Sequence, residues 1–305
     1  MTYLQNLLEL EAMMFLMITL GVICVKTGLL TETGQREITD IVIYVVFPCY
    51  ILDCFIKNIG AFSGASMFNI IFASAALQLL TIFLSSVLYR RTEPGRRTIL
   101  RYTLIVSNSG FLGFPLVGSV FGPEGLIFAS IFLIFQRINN FSYALSLFTA
   151  AEKKGLIRRT LTHPCIFVTF IGTAIMLLEW APPALLCKTL SSIGACSTPM
   201  SMMMIGAVLA AAKGGNPADR LTAGYTLWRL ILIPGIIFLL CRALQMDQIV
   251  TGTSVLLAGM PAGTLSVMLG KKYNADAAFA SRLVIVTTIL SLITIPMWCM
   301  LCVYL

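Results

Sequence analysis

The chain has 305 residues, of which 58% are hydrophobic and only 11% are charged, and its mean hydropathy is +0.92. A water-soluble core cannot hold this much apolar surface, so the composition excludes a soluble globular protein and indicates one that crosses a membrane several times. The net charge of +8 would suggest a nucleic-acid partner in a soluble protein. Here the basic residues lie between apolar segments, and no nucleic-acid binding is expected.

Apolar stretches of roughly 20 residues, bounded by charged or turn residues, predict an all-α membrane protein with ten transmembrane helices. We call them spans 1 to 10, and they cover residues 8–27, 38–57, 67–89, 98–121, 125–150, 163–181, 187–212, 219–244, 248–270 and 277–304. No Lys or Arg precedes span 1. Because a secretory signal opens with basic residues, span 1 is predicted to be a retained membrane helix.

The basic residues predict the orientation of the spans. Sixteen of the 21 Lys and Arg lie in connections that follow odd-numbered spans, whereas only Lys57, Lys188 and Arg242 follow even-numbered ones. Positive charge favours the cytoplasmic side. The pattern therefore predicts a multi-pass protein of the cytoplasmic (inner or plasma) membrane with both termini on the extracytoplasmic side.

Cysteine and histidine offer little chemistry in this chain. The nine cysteines lie in or beside apolar spans, where they act as small hydrophobic residues, and Cys299 and Cys302 lack a second pair. The single histidine, His163, cannot form a zinc site and is interpreted as a cap at the entrance of span 6. We expect no metal, no cofactor and no enzymatic activity.

Span 4 is interrupted by polar residues, Gly and Pro at positions 107–115, with the sequence SNSGFLGFP. A break inside a membrane helix frees N–H and C=O groups, each costing several kcal/mol unless protein, water or a ligand engages it. The alternative is a polar loop that joins two short helices. Span 9 contains a similar interruption, AGMPAG at positions 258–263, and this recurrence favours a functional break that binds a transported solute.

The two halves of the chain share prolines and a short motif in the same order. Pro48 corresponds to Pro199, Pro115 to Pro261, and Phe128-Ala129-Ser130 to Phe279-Ala280-Ser281, with offsets of 151, 146 and 151 residues. Residues 1–155 and 156–305 are therefore predicted to form two five-helix repeats. Because five is odd, the second repeat enters the membrane from the opposite face, and inverted repeats permit alternating access. This architecture favours a carrier over a channel or an enzyme.

The broken spans provide chemistry suited to an anion. The N-termini of half-helices carry partial positive charge, and Pro115 and Pro261 suit the first turn of each second half-helix. Asn108 adds an amide donor and acceptor. Ser107 and Ser109 either contact the solute or bond to a carbonyl of their own helix, and for Ser109 the second interpretation is preferred.

Arg137 and Arg229 each lie ten or more residues from a span end. An arginine there costs about 2.5–3.5 kcal/mol and needs an acceptor. Two explanations compete. Either the arginines bind carbonyls at the C-termini of the half-helices, which is the preferred explanation, or they face the cavity and neutralise an anionic solute.

None of the thirteen carboxylates lies near the middle of a span. Cation and proton carriers generally use membrane-embedded Asp or Glu, so a sodium–proton antiporter is not expected. Asp53 and Glu11 remain candidate proton sites, with hydrated interfacial carboxylates as the alternative interpretation.

On these motifs the chain resembles the auxin efflux carrier family. The segment from Asn108 to Pro115 resembles the signature of the family's fourth span. The closest similarity is in the last two spans, over Met260-Pro261-Ala262-Gly263, Lys272-Tyr273-Asn274-Ala275-Asp276, Ala280-Ser281 and the segment ILSLITIP at 289–296. Trp180, Pro183-Ala184-Leu185 and Lys188-Thr189-Leu190-Ser191 match more loosely, and the similarity extends over the whole chain.

The resemblance implies crossover helices four and nine and an elevator-like movement of an organic anion by a homodimer. It implies a scaffold at residues 8–57 and 163–212 and a mobile transport unit at residues 67–150 and 219–304. Asn108 matches the family's substrate-contacting asparagine, and Pro115 and Pro261 match its crossover prolines. Plant auxin carriers have a long loop between spans five and six, but here only residues 151–162 join them. The compact form resembles microbial members associated with malate and malonate, so auxin is not the expected solute.

The sequence thus predicts a secondary transporter that moves a small organic anion, a mono- or dicarboxylate, through the lipid bilayer. The alternatives are a sodium-coupled symporter resembling bile acid carriers and, outside transport, a receptor or membrane enzyme. The candidate solute-binding residues are Ser107, Asn108, Gly110, Pro115, Arg137, Asn140, Arg229, Gly259 and Pro261.

Overall fold

A computed structural model describes residues 2–59, 64–148, 163–211 and 219–304, and within these ranges the chain is helical and forms no strand. The α-helices are Thr2–Lys26, Glu32–Ile41, Phe47–Lys57, Gly64–Leu88, Pro94–Ile105, Phe114–Asn139, Pro164–Leu177, Ala184–Gly194, Ser197–Ala211, Arg220–Leu227, Ile233–Ala243, Gln248–Ala258, Leu265–Lys272 and Ala277–Tyr304. Single π-helical turns lie at Val42–Val46, Ser109–Gly113, Asn140–Ala144 and Trp228–Leu232.

Six helical stretches in the described part of the chain are long and apolar enough to cross a membrane: Glu32–Lys57, Gly64–Leu88, Ser109–Asn139, Ala184–Ala210, Arg220–Ala243 and Ala277–Cys302. Shorter apolar helices occupy Ala12–Lys26, Pro164–Leu177 and Gln248–Ala258. The prediction of an all-helical, multi-pass membrane protein is therefore confirmed. The count of ten spans and the inverted repeat stay predictions.

Three of the π turns end two residues before a proline. Proline lacks an N–H and its ring clashes with the carbonyl four residues earlier, so a regular helix cannot pass through it undisturbed. A π turn opens the helix by one residue and absorbs this conflict. In each case the proline is the second residue of the helix that follows the turn, and these prolines are Pro48, Pro115 and Pro234.

The helix Phe114–Asn139 contains a sharp turn at Gly122, whose φ of 65° and ψ of −159° are not helical. A positive φ is readily adopted by glycine, and Pro123 follows at once and fixes the next φ angle. Two helices therefore meet here. This turn lies at the predicted boundary between spans 4 and 5.

Spans 1 and 7 pack closely along Thr2–Lys26 and Ser197–Ala211. Gly21 lies directly against the main-chain carbonyl of Met203, and Gly206 lies against that of Ile18. A Cβ atom at either glycine would overlap the facing helix. Small residues allow membrane helices to approach closely and gain van der Waals contact, so these two glycines join the first half of the chain to the second.

Arg96 connects the starts of three helices. Its Nε atom donates to Asp276 Oδ2 at 3.1 Å, its Nη1 atom lies 3.9 Å from Asp219 Oδ2, and its guanidinium stacks over the ring of Phe279. Both aspartates also use Oδ1 to cap a helix, accepting from Leu221 N and Phe279 N respectively. Arg96 therefore ties Pro94–Ile105 to Arg220–Leu227 and Ala277–Tyr304.

Candidate functional site

The two predicted breaks are present and they cross each other. Residues 106–108 leave the helix after Ile105, and residues 259–264 leave it after Ala258. Ser107 pairs with Ala262 in an antiparallel bridge, and the Asn108 N–H donates to the Pro261 carbonyl at 2.9 Å. We call these two unwound stretches the crossing. Unwound main chain inside an apolar interior is tolerated only where protein or a cavity satisfies it.

Gly263 permits the close approach of the two unwound stretches. A Cβ atom at this position would lie 2.8 Å from the carbonyl oxygen of Val106, closer than side chains can approach. The obstacle is main chain and cannot rotate away. Any other residue at Gly263 would therefore push the two unwound stretches apart.

Asn108 presents an unused donor at the crossing. Its side chain is 4% exposed, and Nδ2 has no hydrogen-bond partner among the described residues. Its main-chain carbonyl is engaged, because it accepts from the N–H groups of Leu112 and Gly113. A buried donor without an acceptor costs about 1–3 kcal/mol. An acceptor supplied from outside the protein would remove this cost.

Space is available two residues after Asn108 in span 4. A Cβ atom built on Gly110 would meet nothing within 4 Å, and both Gly110 and Phe111 are partly exposed. The first N–H groups of a helical segment have no acceptor within it, and Gly110 belongs to such a first turn, Ser109–Gly113. The ring of Phe111 packs edge-on against that of Phe47 in span 2, with the centroids 5.7 Å apart. Main-chain donors thus lie beside open space.

Arg229 is buried, with 1% of its surface exposed, and it contacts both broken spans. Its Nε atom donates to the Met260 carbonyl at 2.8 Å, and Nη1 donates to the Leu104 carbonyl at 2.9 Å. This geometry agrees with the structural interpretation, in which the arginine binds freed carbonyls. No carboxylate among the described residues forms an ion pair with it, so its charge is not neutralised by an acidic side chain.

Arg137 differs from Arg229. Its Nη1 atom lies 3.0 Å from Nδ1 of His163, and His163 caps the helix Pro164–Leu177 by accepting from the Cys165 N–H. The predicted cap role of His163 is confirmed. Arg137 is placed against this helix entrance, because the histidine supplies the acceptor that a half-helix carbonyl was expected to supply. It forms no hydrogen bond to the crossing.

The hydroxyls beside Asn108 bond within the protein. Ser107 Oγ and Ser109 Oγ contact each other, and Ser109 Oγ donates to the Leu257 carbonyl at 3.2 Å. The expectation that Ser109 bonds within its own helix is wrong, because the crossing brings a carbonyl of span 9 closer. Gln136, which the sequence did not single out, donates from Nε2 to the Ser107 carbonyl at 2.9 Å. An amide next to Arg137 in an apolar span was the available signal.

Thr287 is a second supporting residue that sequence reasoning missed. Its Oγ1 atom accepts from the Ala262 N–H at 3.1 Å and donates to the Leu283 carbonyl at 2.6 Å. The hydroxyl therefore satisfies an N–H that the unwinding of span 9 leaves without a helical acceptor. Because hydroxyls are common in membrane helices, the sequence alone gave no signal for this role.

The two crossover prolines occupy different positions. Pro115 is the second residue of Phe114–Asn139, as predicted. Pro261 was expected in the first turn of the second half of span 9, but that half begins only at Leu265. The prediction is wrong for Pro261, because its carbonyl is held by the Asn108 N–H and the helix starts after the crossing.

Two other candidate solute-binding residues, Gly259 and Asn140, form hydrogen bonds within the protein. Gly259 ends the helix Gln248–Ala258, and its N–H donates to the carbonyls of Val255 and Leu256. Asn140 accepts from the Tyr102 hydroxyl at 3.0 Å, and this bond joins spans 4 and 5.

One of the two candidate proton sites, Asp53, forms an ion pair within the protein. Asp53 is buried and pairs with Lys57 at 2.6 Å, and Lys57 also donates to the Ser191 hydroxyl of span 7. Burial and pairing differ from the hydrated carboxylate that was the alternative interpretation. Glu11 belongs to Thr2–Lys26, but its side chain is outside the described residues. No cluster of metal-ligating side chains occurs in the described ranges.

Apolar helices and two broken spans that cross in a buried interior define a multi-pass helical membrane protein of the kind that moves solutes. The chain belongs to the family described as Membrane transport protein, whose family model matches residues 7–299. This match confirms the resemblance to the auxin efflux carrier family. The family is one of transporters rather than enzymes.

Relatives from three microbes agree with this assignment. The chain is 27% identical, over 70% of its own length and 70% of the relative's, to a Rhizobium meliloti protein named "Putative malonate transporter". It is 21% identical to an uncharacterized transporter of Methanocaldococcus jannaschii, over 95% of this chain and 97% of the relative. It is 24% identical to an uncharacterized transporter of Methanothermobacter thermautotrophicus, over 92% and 94%.

Proposed function

We propose that this protein is a secondary transporter that carries a small organic anion, a mono- or dicarboxylate, bound at the crossing of spans 4 and 9. The observation that carries the proposal is the buried Nδ2 atom of Asn108, which has no acceptor among the described residues. A carboxylate oxygen is the acceptor that this donor lacks. The open space beside Gly110 is where the rest of the solute is accommodated.

The charge at the crossing supports an anion over a cation. Arg229 contributes a buried positive charge that the carbonyls of Leu104 and Met260 solvate but do not neutralise. A buried charge without a counterion is costly, and a bound anion reduces this cost. The unpaired main-chain N–H groups of a helix N-terminus act in the same direction. A cation at the crossing would be repelled by the charge of Arg229, and no ion pair of the described residues places a carboxylate there to offset this repulsion.

The comparisons support the same class of solute. One relative carries malonate in its name, and malonate is a small dicarboxylate. At 27% identity this relative supports the chemical class and leaves the exact molecule open.

We extend the proposal to the mechanism. Residues 1–155 and 156–305 form inverted repeats, and an elevator-like movement carries the solute in a homodimer of the cytoplasmic membrane with extracytoplasmic termini. Residues 67–150 and 219–304 move as a transport unit against residues 8–57 and 163–212. Two contacts support this division. Arg96 joins the starts of spans 4, 8 and 10, whereas spans 1 and 7 pack closely on each other.

The test is carboxylate flux into liposomes that contain the purified protein. We expect saturable uptake of at least one mono- or dicarboxylate, and for Asn108→Ala a loss of about tenfold or more in kcat/KM, because a hydrogen bond to a charged group contributes roughly 1.5–3 kcal/mol. Asn69→Ala, a partly exposed asparagine of Gly64–Leu88, is the matched control and should transport normally.

Parallel runs with proton and sodium gradients identify the coupling ion. If a proton gradient drives uptake, the variants Asp53→Asn and Glu11→Gln test the two candidate proton sites. Absence of saturable carboxylate flux, or equal activity of the Asn108 and Asn69 variants, would overturn the assignment.

A further inference from the structure

Arg229 is the largest side chain that is fully buried in the described part of the chain, and both of its hydrogen bonds go to main-chain carbonyls. In an α-helix the Leu104 carbonyl would accept from the N–H of the residue four positions later, which is Asn108. That N–H instead donates to the Pro261 carbonyl across the crossing. Leu104 therefore loses its helical donor, and Arg229 Nη1 replaces it.

The same guanidinium serves the other broken span. The Met260 carbonyl lies in the unwound stretch between Gly259 and Thr264 and has no helical donor there. Arg229 Nε donates to it at 2.8 Å. One planar group thus satisfies one freed carbonyl from each of the two broken spans. The guanidinium is suited to this because its N–H donors have a fixed relative geometry.

The helix that carries Arg229 is held in place by a separate contact. Arg229 lies in the π turn Trp228–Leu232, and the Leu230 carbonyl would normally accept from the residue at position 234. That residue is Pro234, which has no N–H. The indole N–H of Trp298 donates to the Leu230 carbonyl instead, at 2.9 Å. The π turn is therefore supported, and the direction of the arginine is fixed.

We propose that Arg229 is a positioning residue that clamps the two unwound stretches together and thereby holds the side-chain amide of Asn108 at the crossing. It acts through main-chain carbonyls and does not touch the solute. The inference goes beyond the proposed function, because the clamp is needed whatever solute occupies the site. Its removal should loosen both breaks at once, since one side chain binds a carbonyl of each unwound stretch.

Hydrogen–deuterium exchange at single-amide resolution tests the clamp without any solute. The reporters are the N–H groups of Asn108 and Ala262, which donate to Pro261 and Thr287 respectively. In Arg229→Gln and Arg229→Lys we expect both amides to exchange about tenfold faster or more, because each freed carbonyl loses a charge-assisted hydrogen bond. Lysine keeps the charge but its single ammonium cannot reproduce the planar pair of donors.

Arg242→Gln is the matched control, because this arginine is exposed in the last turn of Ile233–Ala243 and lies away from the crossing. It should leave both reporters unchanged. Wild-type exchange from Arg229→Lys, or faster exchange at only one reporter, would overturn the clamp.

The unmodified protein provides a test if the Arg229 variants do not fold. A shared clamp requires the main-chain amides of Asn108 and Ala262 to open in one event and therefore to have the same protection factor, which is the observed exchange rate corrected for the intrinsic rate of each amide. Protection factors that differ by more than about tenfold would contradict it. Because no step needs transport, a failure of carboxylate flux and a failure of the clamp are separate results.

Discussion

The breaks in spans 4 and 9 contain similar residues, but their surroundings differ. In span 9, residues 250–263 are all buried, and the carbonyls of Met260 and Pro261 and the N–H of Ala262 have partners in other parts of the chain. In span 4, the side-chain Nδ2 atom of Asn108 has no partner among the described residues, and Gly110 and Phe111 are partly exposed.

This difference assigns different tasks to the two breaks. A fully buried and hydrogen-bonded stretch of main chain is rigid, because each polar group would lose a bond if it moved. An unpartnered donor next to open space is costly until a ligand engages it. We therefore propose that the span 9 break supports the crossing and that the span 4 break faces the solute. Substitutions in the two breaks should accordingly affect stability and transport in opposite proportions.

The largest effect on stability is expected at Gly263. Gly263→Ala places a Cβ atom 2.8 Å from the Val106 carbonyl oxygen, and neither unwound stretch can move aside without losing hydrogen bonds. Overpacking of this kind costs about 1–3 kcal/mol, so the midpoint of thermal unfolding in detergent should fall by several degrees. Gly224→Ala is the control, because a Cβ atom there meets nothing within 4 Å. Equal midpoints for the two variants would show that the chains are less tightly crossed than the distances indicate.

A smaller loss of stability is expected at Thr287. Thr287→Val removes the acceptor of the Ala262 N–H and leaves it buried without a partner, at a cost of roughly 1–2 kcal/mol. The adjacent Thr288 is the control, because its buried hydroxyl has no partner among the described residues. Thr288→Val should therefore be neutral or stabilising in the same thermal unfolding measurement. If Thr288→Val is the more damaging change, span 10 does not support the break in the way that the contacts indicate.

The positions of both breaks could be predicted from the sequence, because a cluster of Gly, Pro and polar residues inside an apolar stretch disfavours a continuous membrane helix. Their partners could not be predicted. Gln136 and Thr287 act across a distance of many residues in sequence, and each is one polar side chain in an apolar helix. Which carbonyl such a side chain reaches depends on how the helices are rotated against each other, and hydropathy does not record that rotation.

Two pairs of similar residues show the same limit. Arg137 and Arg229 have equivalent mid-span positions in the sequence, yet one contacts a helix entrance and the other contacts the crossing. Pro115 is the second residue of the helix Phe114–Asn139, whereas Pro261 lies in unwound chain. Local preference allowed both outcomes in each pair. Contacts between residues that are distant in sequence decided which outcome occurred, because these contacts engage the neighbouring carbonyl groups.

Gly110 provides the sharpest contrast with Gly263, because the same substitution should have the opposite consequence. A Cβ atom at Gly110 meets no protein atom within 4 Å, so Gly110→Ala should leave the midpoint of thermal unfolding unchanged. The added methyl group occupies space beside the main-chain N–H groups that are proposed to bind the solute. We expect KM for the transported carboxylate to rise about threefold to tenfold, equivalent to roughly 1 kcal/mol of binding. An unchanged KM, together with a lowered midpoint, would place the solute elsewhere and make the span 4 break as structural as the break in span 9.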